Sequence, residues 1–363
     1  MRVKINVEDL KKAAADMDFI MKGNMLNMLD SLLITATANA ITLTVNNLKI
    51  RAEKRVPGEV LQEGNALLHR DDLGILLKMK NDVELDFTGK QCTMTGNRIF
   101  TCTVEEGADE FPVMPEIPEG EPVFAIPEKD LLYCLKLRKL IATDGQDRLR
   151  GIWIDKNNIL ACDGYRLGKI EMVYHSANRF MLPDFVLTYL TKALDKKSLS
   201  LVVFHLSEKG YVKAFSDNFE ITFRQYDGEL ISYENMFVTN DVQTAAFQKQ
   251  DLVEAIGFIC DISKNNRKAK SPVTYNFCDN RLTLDYKAAN KHVEEEIKFT
   301  NQNADKIGLT VGFNPLYNYE LLSMVESDRI TMSFANSYSP SIIHGENESE
   351  KYLLLPVRLK NAA

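Results

Sequence analysis

The stretch "VKINVEDLKKAAADMDFI" (residues 3–20) decides the fold, because its pattern occurs three times in the chain. A short β-type run leads into Asp-Leu and then into apolar residues at helical spacing, with the aspartate where a carboxylate favours the start of a helix. The pattern returns in "VFAIPEKDLLYCLKLRKLI" from Val123 and in "AAFQKQDLVEAIGFICDI" from Ala245. The copies lie about 120 residues apart, a typical domain length. The sequence therefore predicts three similar domains.

A second pattern follows in each repeat. The segments "ALLHRDDLGILLKMK" (66–80), "FMLPDFVLTYLTKALDKK" (180–197) and "VGFNPLYNYELLSMVE" (311–326) run from a short strand through a turn or proline into an amphipathic helix. Alternating strand pairs come after each one. We therefore predict an α+β fold in which each domain packs two helices on antiparallel sheets. Linker-like stretches at 111–122 and 234–244 place the domains at 1–122, 123–244 and 245–363.

The bulk composition predicts a folded, cytoplasmic protein. The chain has 363 residues, 45% apolar and 26% charged content, and a net charge of −7. No apolar run is long enough to span a bilayer, and charges interrupt the N-terminal region where a signal peptide needs apolar residues, so no membrane partner is expected.

No catalytic, metal-binding or cofactor-binding motif is evident. The six cysteines form no C-x-x-C pair and the five histidines have no metal-ligand spacing. Glycine-rich phosphate loops and serine-hydrolase elbows are absent from the sequence. We therefore predict no catalytic residue, no metal and no cofactor.

Positive charge gathers at one place in each repeat, around and after the end of the first helix. Cations there are favoured by the helix dipole alone, which is the simplest explanation for any one cluster. Three clusters at equivalent positions instead indicate a surface that meets DNA phosphates without reading bases. The predicted DNA-binding residues are Lys22, Lys136, Lys139, Arg148, Arg150, Lys264, Arg267 and Lys268.

The stretch "ACDGYRLG" (161–168) has two interpretations. Asp-Gly between two apolar runs is a strong turn signal. Alternatively, Asp163 and Asp227, each followed by glycine, form a carboxylate pair for acid–base chemistry. The turn requires no further assumption and is the preferred interpretation.

Three segments carry a resemblance to a known family. They are "GIWIDKNNILACDGYRLGKIEM" (151–172), "GFNPLYNYELL" (312–322) and the tail "YLLLPVRL" (352–359). Together, in this order, they make the chain resemble the bacterial DNA polymerase III beta subunits, the sliding clamps, over essentially its full length. The resemblance implies a DNA clamp fold and a head-to-tail homodimer that closes into a ring around double-stranded DNA.

The function implied is that of a processivity subunit, not an enzyme. Such a ring tethers the replicative DNA polymerase and also meets a clamp loader and other proteins that carry a clamp-binding motif. Two alternatives stay open at this stage. One is an α+β enzyme that uses Asp163, and the other is a protein-interaction scaffold with no role on DNA.

The resemblance also implies a cleft for a partner peptide of glutamine and apolar residues. The family pattern is altered at three places, where Cys162 replaces a usual threonine, Tyr165 a usual histidine and Pro340 a small polar residue. The positions that match the cleft are Leu149, Cys162, Gly164, Tyr165, Arg166, Leu167, Asn314, Tyr317, Tyr338, Leu353, Leu354, Leu355, Pro356, Val357, Arg358 and Leu359.

Overall fold

The computed structural model describes residues 1–118, 120–237, 242–264, 271–278, 281–288, 290–301 and 308–359. The chain divides into two compact units. Unit 1 comprises 1–135, 174–178 and 182–225, and unit 2 comprises 136–173, 179–181 and 226–363. Among the described residues, no helix is long and apolar enough to cross a membrane.

All six predicted helices are confirmed. Short polar side chains begin two of them: Asn6 accepts a hydrogen bond from the backbone N–H of Glu8, and Asn314 accepts from the N–H groups of Leu316 and Tyr317. The helices are α1 (Val7–Ala14), α2 (Arg70–Leu76), α3 (Glu128–Cys134), α4 (Asp184–Ala193), α5 (Lys249–Lys264) and α6 (Pro315–Met324).

Each third of the chain supplies its own set of strands. The first third gives β1 (Arg2–Asn6), β2 (Ser31–Thr37), β3 (Ala40–Asn46), β4 (Ile50–Val56), β5 (Gly58–Gln62), β6 (Gly64–His69), β7 (Asp82–Thr88), β8 (Gln91–Thr95) and β9 (Ile99–Thr103). The second gives β10 (Phe124–Pro127), β11 (Gly151–Asp155), β12 (Asn158–Cys162), β13 (Arg166–Glu171), β14 (Phe180–Pro183), β15 (Leu201–Leu206), β16 (Tyr211–Ser216) and β17 (Phe219–Arg224). The last gives β18 (Gln243–Gln248), β19 (Val273–Cys278), β20 (Arg281–Ala288), β21 (Lys291–Lys298), β22 (Thr300–Asn301), β23 (Leu309–Phe313), β24 (Arg329–Phe334), β25 (Ser341–His344) and β26 (Glu350–Leu354).

These strands form four sheets. Unit 1 holds the sheets β5-β1-β7-β8-β9 and β10-β15-β16-β17-β4-β3-β2-β6. Unit 2 holds β21-β20-β19-β23, and a nine-stranded sheet ordered β14-β11-β12-β13-β26-β25-β24-β18-β22 has most of its strands in the same unit. Every pairing with a recorded register is antiparallel, including the two that join different thirds of the chain, β17 with β4 and β13 with β26. We call these two junctions the first seam and the second seam.

The predicted threefold repeat is confirmed in this topology. In each third, the first strand and the three strands after the second helix make one half-sheet, as in β1-β7-β8-β9, β10-β15-β16-β17 and β18-β24-β25-β26. The three strands after the first helix and the strand before the second helix make the other half-sheet. The domain boundaries themselves stay a prediction; the first strands of the second and third repeats begin at Phe124 and Gln243.

Burial follows the period of two expected for strands with one face on a core. In β7, the side chains of Val83, Leu85 and Phe87 are buried between more exposed neighbours. Strand β11 is buried along its whole length. That strand carries Trp153, the chain's one tryptophan, into the core below the second seam.

Candidate partner-binding site

A tight turn connects β12 to β13 and forms one wall of the site. Asp163 Oδ1 accepts hydrogen bonds from the backbone N–H groups of Tyr165 (2.9 Å) and Arg166 (2.8 Å). Cys162 Sγ accepts from the N–H of Gly164 at 3.2 Å. Gly164 has φ +90°, a conformation that glycine adopts without strain, and open space surrounds its Cα. The turn interpretation is therefore correct, and the Asp163 carboxylate is engaged within it.

The C-terminal tail forms the adjoining wall. Strand β26 pairs with β13, with Leu353 opposite Leu167. Past the strand, the N–H of Leu355 donates to the carbonyl of Tyr165 at 3.0 Å, and the N–H of Val357 donates to the carbonyl of Gly312 at 2.8 Å. These backbone bonds bring the turn, the tail and the strand before α6 together.

An apolar floor lies below these walls. Trp153 Nε1 donates to the carbonyl of Arg148 at 2.8 Å, which satisfies the one polar atom of this buried ring. The buried members of the floor are Trp153, Leu160, Leu167, Met181, Tyr233, Ile342 and Leu353. Partly buried residues that pack against them are Cys162, Tyr226, Leu230, Ile231 and Phe237. Partly buried apolar residues beside a few polar groups are the kind of surface that peptide sites use.

The ring of Tyr165 stands at the rim of this surface, and Tyr338 is a second exposed ring among the predicted cleft residues. Tyr165 is 59% exposed and its ring centroid lies 5.6 Å from that of Tyr317, while Tyr338 is 65% exposed. Large rings that remain exposed in a folded chain are typical of residues that contact a partner. Asn314 lies at this end of the site as the N-cap of α6, so its side chain is committed to the helix start.

Arg166 lies beneath the rim and not on its surface, since only 6% of the residue is exposed. Its Nε and Nη2 contact Asp163 Oδ2 at 2.9 and 2.8 Å, Nη2 also donates to the carbonyl of Lys139 at 3.2 Å, and Nη1 pairs with Glu320. The guanidinium carbon lies 4.3 Å from the centroid of the Tyr317 ring. The group is thus used within the fold, where it ties the turn to α6.

Three titratable side chains near the floor have pKa values that differ from their usual ones. Burial raises the pKa of the Cys162 thiol, which therefore stays protonated at neutral pH and is a poor nucleophile. Burial likewise raises the pKa of Tyr317. The pKa of Asp155 lies below its usual value. Burial acts to raise this pKa, but hydrogen bonds from Arg179 and Tyr233 lower it by more.

The remaining predicted cleft residues occupy the margins. Leu149 is half-buried in a short 3₁₀ turn, Asp147–Leu149, directly before β11. Leu354 is fully buried, whereas Leu355 and Arg358 are exposed. Pro356, Val357 and Leu359 are half-buried. The floor residues between Tyr226 and Phe237 were not predicted, and only 234–237 of this segment fall in the predicted linker-like stretch 234–244; an aromatic and apolar composition in "YDGELISYENMF" was the signal available.

The predicted DNA-binding residues divide into four groups. Lys22, Lys139 and Arg148 are exposed. Lys136 is largely covered and pairs with Glu350 at 2.7 Å and with Glu326 at 3.6 Å, and Arg150 is half-buried with its guanidinium carbon 4.8 Å from the centroid of the Tyr226 ring. Lys264 is the last residue of α5. Arg267 and Lys268 lie outside the described residues.

Comparison with known proteins gives a consistent result. Residues 236–358 match the family model of the DNA polymerase III beta subunit, C-terminal domain. The chain is 24% identical over 360 residues to the beta sliding clamp of Streptomyces coelicolor, covering 92% of each, and 22% identical over 361 residues to that of Pseudomonas aeruginosa, covering 92% of this chain and 93% of the other.

A solved structure extends the match to the whole fold. The beta subunit of the DNA polymerase of Streptococcus pyogenes superposes with a TM-score of 0.88 at 20% identity, covering 99% of this chain and 100% of that one. The chain is thus similar in sequence over 92% of its length to beta sliding clamps, its residues 236–358 match the C-terminal domain of the DNA polymerase III beta subunit, and its fold is that of a solved beta subunit.

Proposed function

We propose that this chain is the protomer of a DNA sliding clamp, a non-catalytic subunit that encircles double-stranded DNA and tethers the replicative polymerase. The observation that carries the proposal is the repeated half-sheet. The described strands form six half-sheets, three of each kind, and the two seams join four of them in pairs. At each seam, the last strand of a half-sheet of the first kind (β17 or β26) pairs with the third strand of a half-sheet of the other kind (β4 or β13). The same rule applied to the remaining two half-sheets selects β9 and β21.

Strands β9 and β21 each have a neighbour on one side only in the part of the chain that the structure describes. An exposed strand edge is a template for pairing with another chain. Pairing of β9 in one copy with β21 in a second copy repeats the seam rule and closes a head-to-tail homodimer into a ring. The domains at 1–122, 123–244 and 245–363 are the repeating parts of that ring.

Contact with DNA in this proposal is electrostatic and independent of sequence. Lys22, Lys139, Arg148, Arg150 and Lys264 meet phosphates, and such contacts weaken as salt rises because bound counterions are released. Lys136 has its ammonium already paired with Glu350, so we assign it the smallest share of this binding. A protein with this role on DNA works in the cytoplasm.

The partner-binding site supplies the second half of the function. An extended peptide of glutamine and apolar residues lies on the floor around Trp153 and Leu167, against the exposed ring of Tyr165. The polymerase, the clamp loader and other proteins with a clamp-binding motif use this site in turn. Tethering then raises the local concentration of the polymerase at the primer end without any chemical step.

The deciding experiment joins solution mass to retention on DNA. We expect a dimer at micromolar concentration that, once loaded, stays on closed circular DNA and is lost when the circle is cut. A monomer, or equal loss from both DNA forms, contradicts the ring. Replacing Arg148, Arg150 and Lys264 by glutamate should abolish clamp-stimulated synthesis and leave peptide binding intact; unchanged synthesis would favour a scaffold without a role on DNA.

A further inference from the structure

The first seam, in unit 1, repeats the architecture of the partner-binding site. In the turn before β4, Asn47 Oδ1 accepts hydrogen bonds from the N–H groups of Lys49 (3.1 Å) and Ile50 (3.0 Å). Asp163 does the same in the turn before β13. Both turns therefore use one side-chain oxygen to fix two backbone amides.

The neighbouring positions also correspond. Asn46 Oδ1 accepts from the N–H of Leu48 at 2.8 Å, as Cys162 Sγ accepts from the N–H of Gly164 at 3.2 Å. Leu48 has φ +67° and Gly164 has φ +90°, so both turns place a left-handed residue at the same point. A leucine in that conformation is uncommon and indicates that the turn is imposed by its surroundings.

The backbone bond that ends each seam is repeated too. The N–H of Arg224 donates to the carbonyl of Lys49 at 3.2 Å, matching the bond between Leu355 and Tyr165. This correspondence fixes the register between the two seams. The opposed pair Glu53–Glu220 in the first seam then occupies the place of the opposed pair Lys169–Lys351 in the second. The two seams share a backbone arrangement but carry opposite charges at this one opposed pair.

A cavity of about 850 Å³ lies over the first seam, a volume within the range of ligand sites. Its floor includes Glu53, Glu220 and Thr222, and its wall is the segment 113–118. That segment is held at its start, because the carbonyl of Pro112 accepts hydrogen bonds from Asn46 Nδ2 (2.8 Å) and Arg51 Nη1 (3.2 Å). The wall presents an apolar surface in which Val113 is 78% exposed.

The floor of this cavity carries two opposed carboxylates, each with one cation beside it. Glu53 and Glu220 are directly opposite on neighbouring strands, and like charges in that position destabilise a sheet. Each carboxylate has a cation on one side, Arg51 at 2.6 Å and Lys213 at 2.9 Å. Glu116 adds a third carboxylate from the wall and has no ion pair among the described residues. A ligand cation between the two opposed carboxylates would relieve their repulsion.

We propose that the first seam is a second binding site, which takes a short extended peptide segment carrying a basic side chain. The arginine or lysine of that segment lies between Glu53 and Glu220, and its apolar neighbours cover Val113 and the rest of the wall. An extended peptide is the chosen occupant because the turn and the seam repeat those of the partner-binding site. The inference goes beyond the sliding-clamp function, which does not require this second site.

The test measures fluorescence anisotropy of two labelled pentapeptides added to the full chain. One has arginine at its centre between two leucines, and the other has glutamate there. We expect saturable binding of the arginine peptide, at least tenfold weaker binding of the glutamate peptide, and a loss of at least tenfold for the arginine peptide in the double variant Glu53→Gln/Glu220→Gln. The glutamines remove the mutual repulsion and also the ion pairs to Arg51 and Lys213, so this variant should unfold close to the wild-type temperature.

Three controls separate this site from general attraction to an acidic protein. The double variant Glu59→Gln/Glu63→Gln makes the same charge change at exposed residues outside the cavity and should bind within twofold of wild type. Tyr165→Ala, in the partner-binding site, should leave the arginine peptide unaffected. Thr222→Arg places a fixed cation in the cavity and should abolish binding even if the glutamine variant folds poorly.

Four results would overturn the proposal. They are absence of saturable binding up to 1 mM, equal affinity for both peptides, unchanged affinity in Glu53→Gln/Glu220→Gln, and loss of binding in Tyr165→Ala. None of these results bears on ring formation, since the dimer and its retention on circular DNA are measured without either peptide. Failure of the second site and failure of the sliding-clamp function are therefore distinguishable.

Discussion

Replacing Arg166 by methionine tests whether this buried guanidinium organises the partner-binding site. Methionine keeps an unbranched apolar stem of similar length and removes the charge. In the wild-type chain, the guanidinium contacts Asp163, Glu320 and the face of Tyr317. Its loss leaves the Asp163 carboxylate without a cation in a largely buried place.

Removing one partner of a buried ion pair costs about 3–5 kcal/mol. We expect about 3 kcal/mol, the lower end, because Glu320 is partly exposed and water can hydrate its carboxylate once the arginine is gone. The free energy of unfolding is measured in urea through the fluorescence of Trp153, which is the chain's one tryptophan and is buried in the site floor. The signal therefore reports on unit 2 directly.

A matched control is available in the same unit. Arg281 pairs with Glu296 at 3.2 Å, but the two side chains are 67% and 50% exposed. Exposed pairs contribute about 0–1 kcal/mol, so Arg281→Met should change the unfolding free energy by less than that. If Arg166→Met costs no more than Arg281→Met, the assignment of Arg166 as the residue that ties the turn to α6 is refuted.

Two further predictions concern the same unit. The depressed pKa of Asp155 means that its folded carboxyl binds a proton less readily than the unfolded one, so the stability it confers is complete above the unfolded pKa and is lost as pH falls through the folded pKa. Asp155→Asn should therefore show a smaller drop in urea midpoint than wild type between about pH 4.5 and pH 3; equal drops would exclude this carboxyl as the cause. Gly168→Ala should cost about 1–3 kcal/mol by overpacking, since an added Cβ meets Leu137 Cδ2 at 2.6 Å. Gly164→Ala meets no atom and bears only the strain of positive φ, about 1 kcal/mol, so the order of the two costs in urea unfolding checks the account.

The fold was predictable because its signals are local. Each helix shows apolar residues at helical spacing, and α6 adds Asn314 and Pro315 at its start. The threefold repeat added evidence that no single segment provides, since chance does not readily produce the same strand-and-helix pattern three times. The pairing of β17 with β4 and of β13 with β26 carries no such local signal and came only from the structure.

The site was predictable in part. Its turn and tail have short, recognisable motifs, but the floor residues between Tyr226 and Phe237 belong to an irregular segment with no period to detect. Arginine is seldom buried, and Arg166 is covered because Glu320, 154 residues away, reaches it. Lys136 is a similar case. The basic cluster predicted a cation available to DNA, but Glu350, 214 residues away in the sequence, pairs with its ammonium group.

The two seams explain how one backbone can carry different chemistry. In the turn before each seam, the bonds that fix the backbone need only an acceptor at two positions, and Asn46 and Cys162 each supply one at the first of them. The threonine usual in the family at the place of Cys162 has a hydroxyl oxygen that can accept the same bond. The change to cysteine therefore leaves the turn intact, and in the proposed site it alters the surface that a peptide would meet. By the same reasoning, glutamates at Glu53 and Glu220 in the places of Lys169 and Lys351 leave the strands paired, and in the proposed second site they favour a ligand that carries a cation.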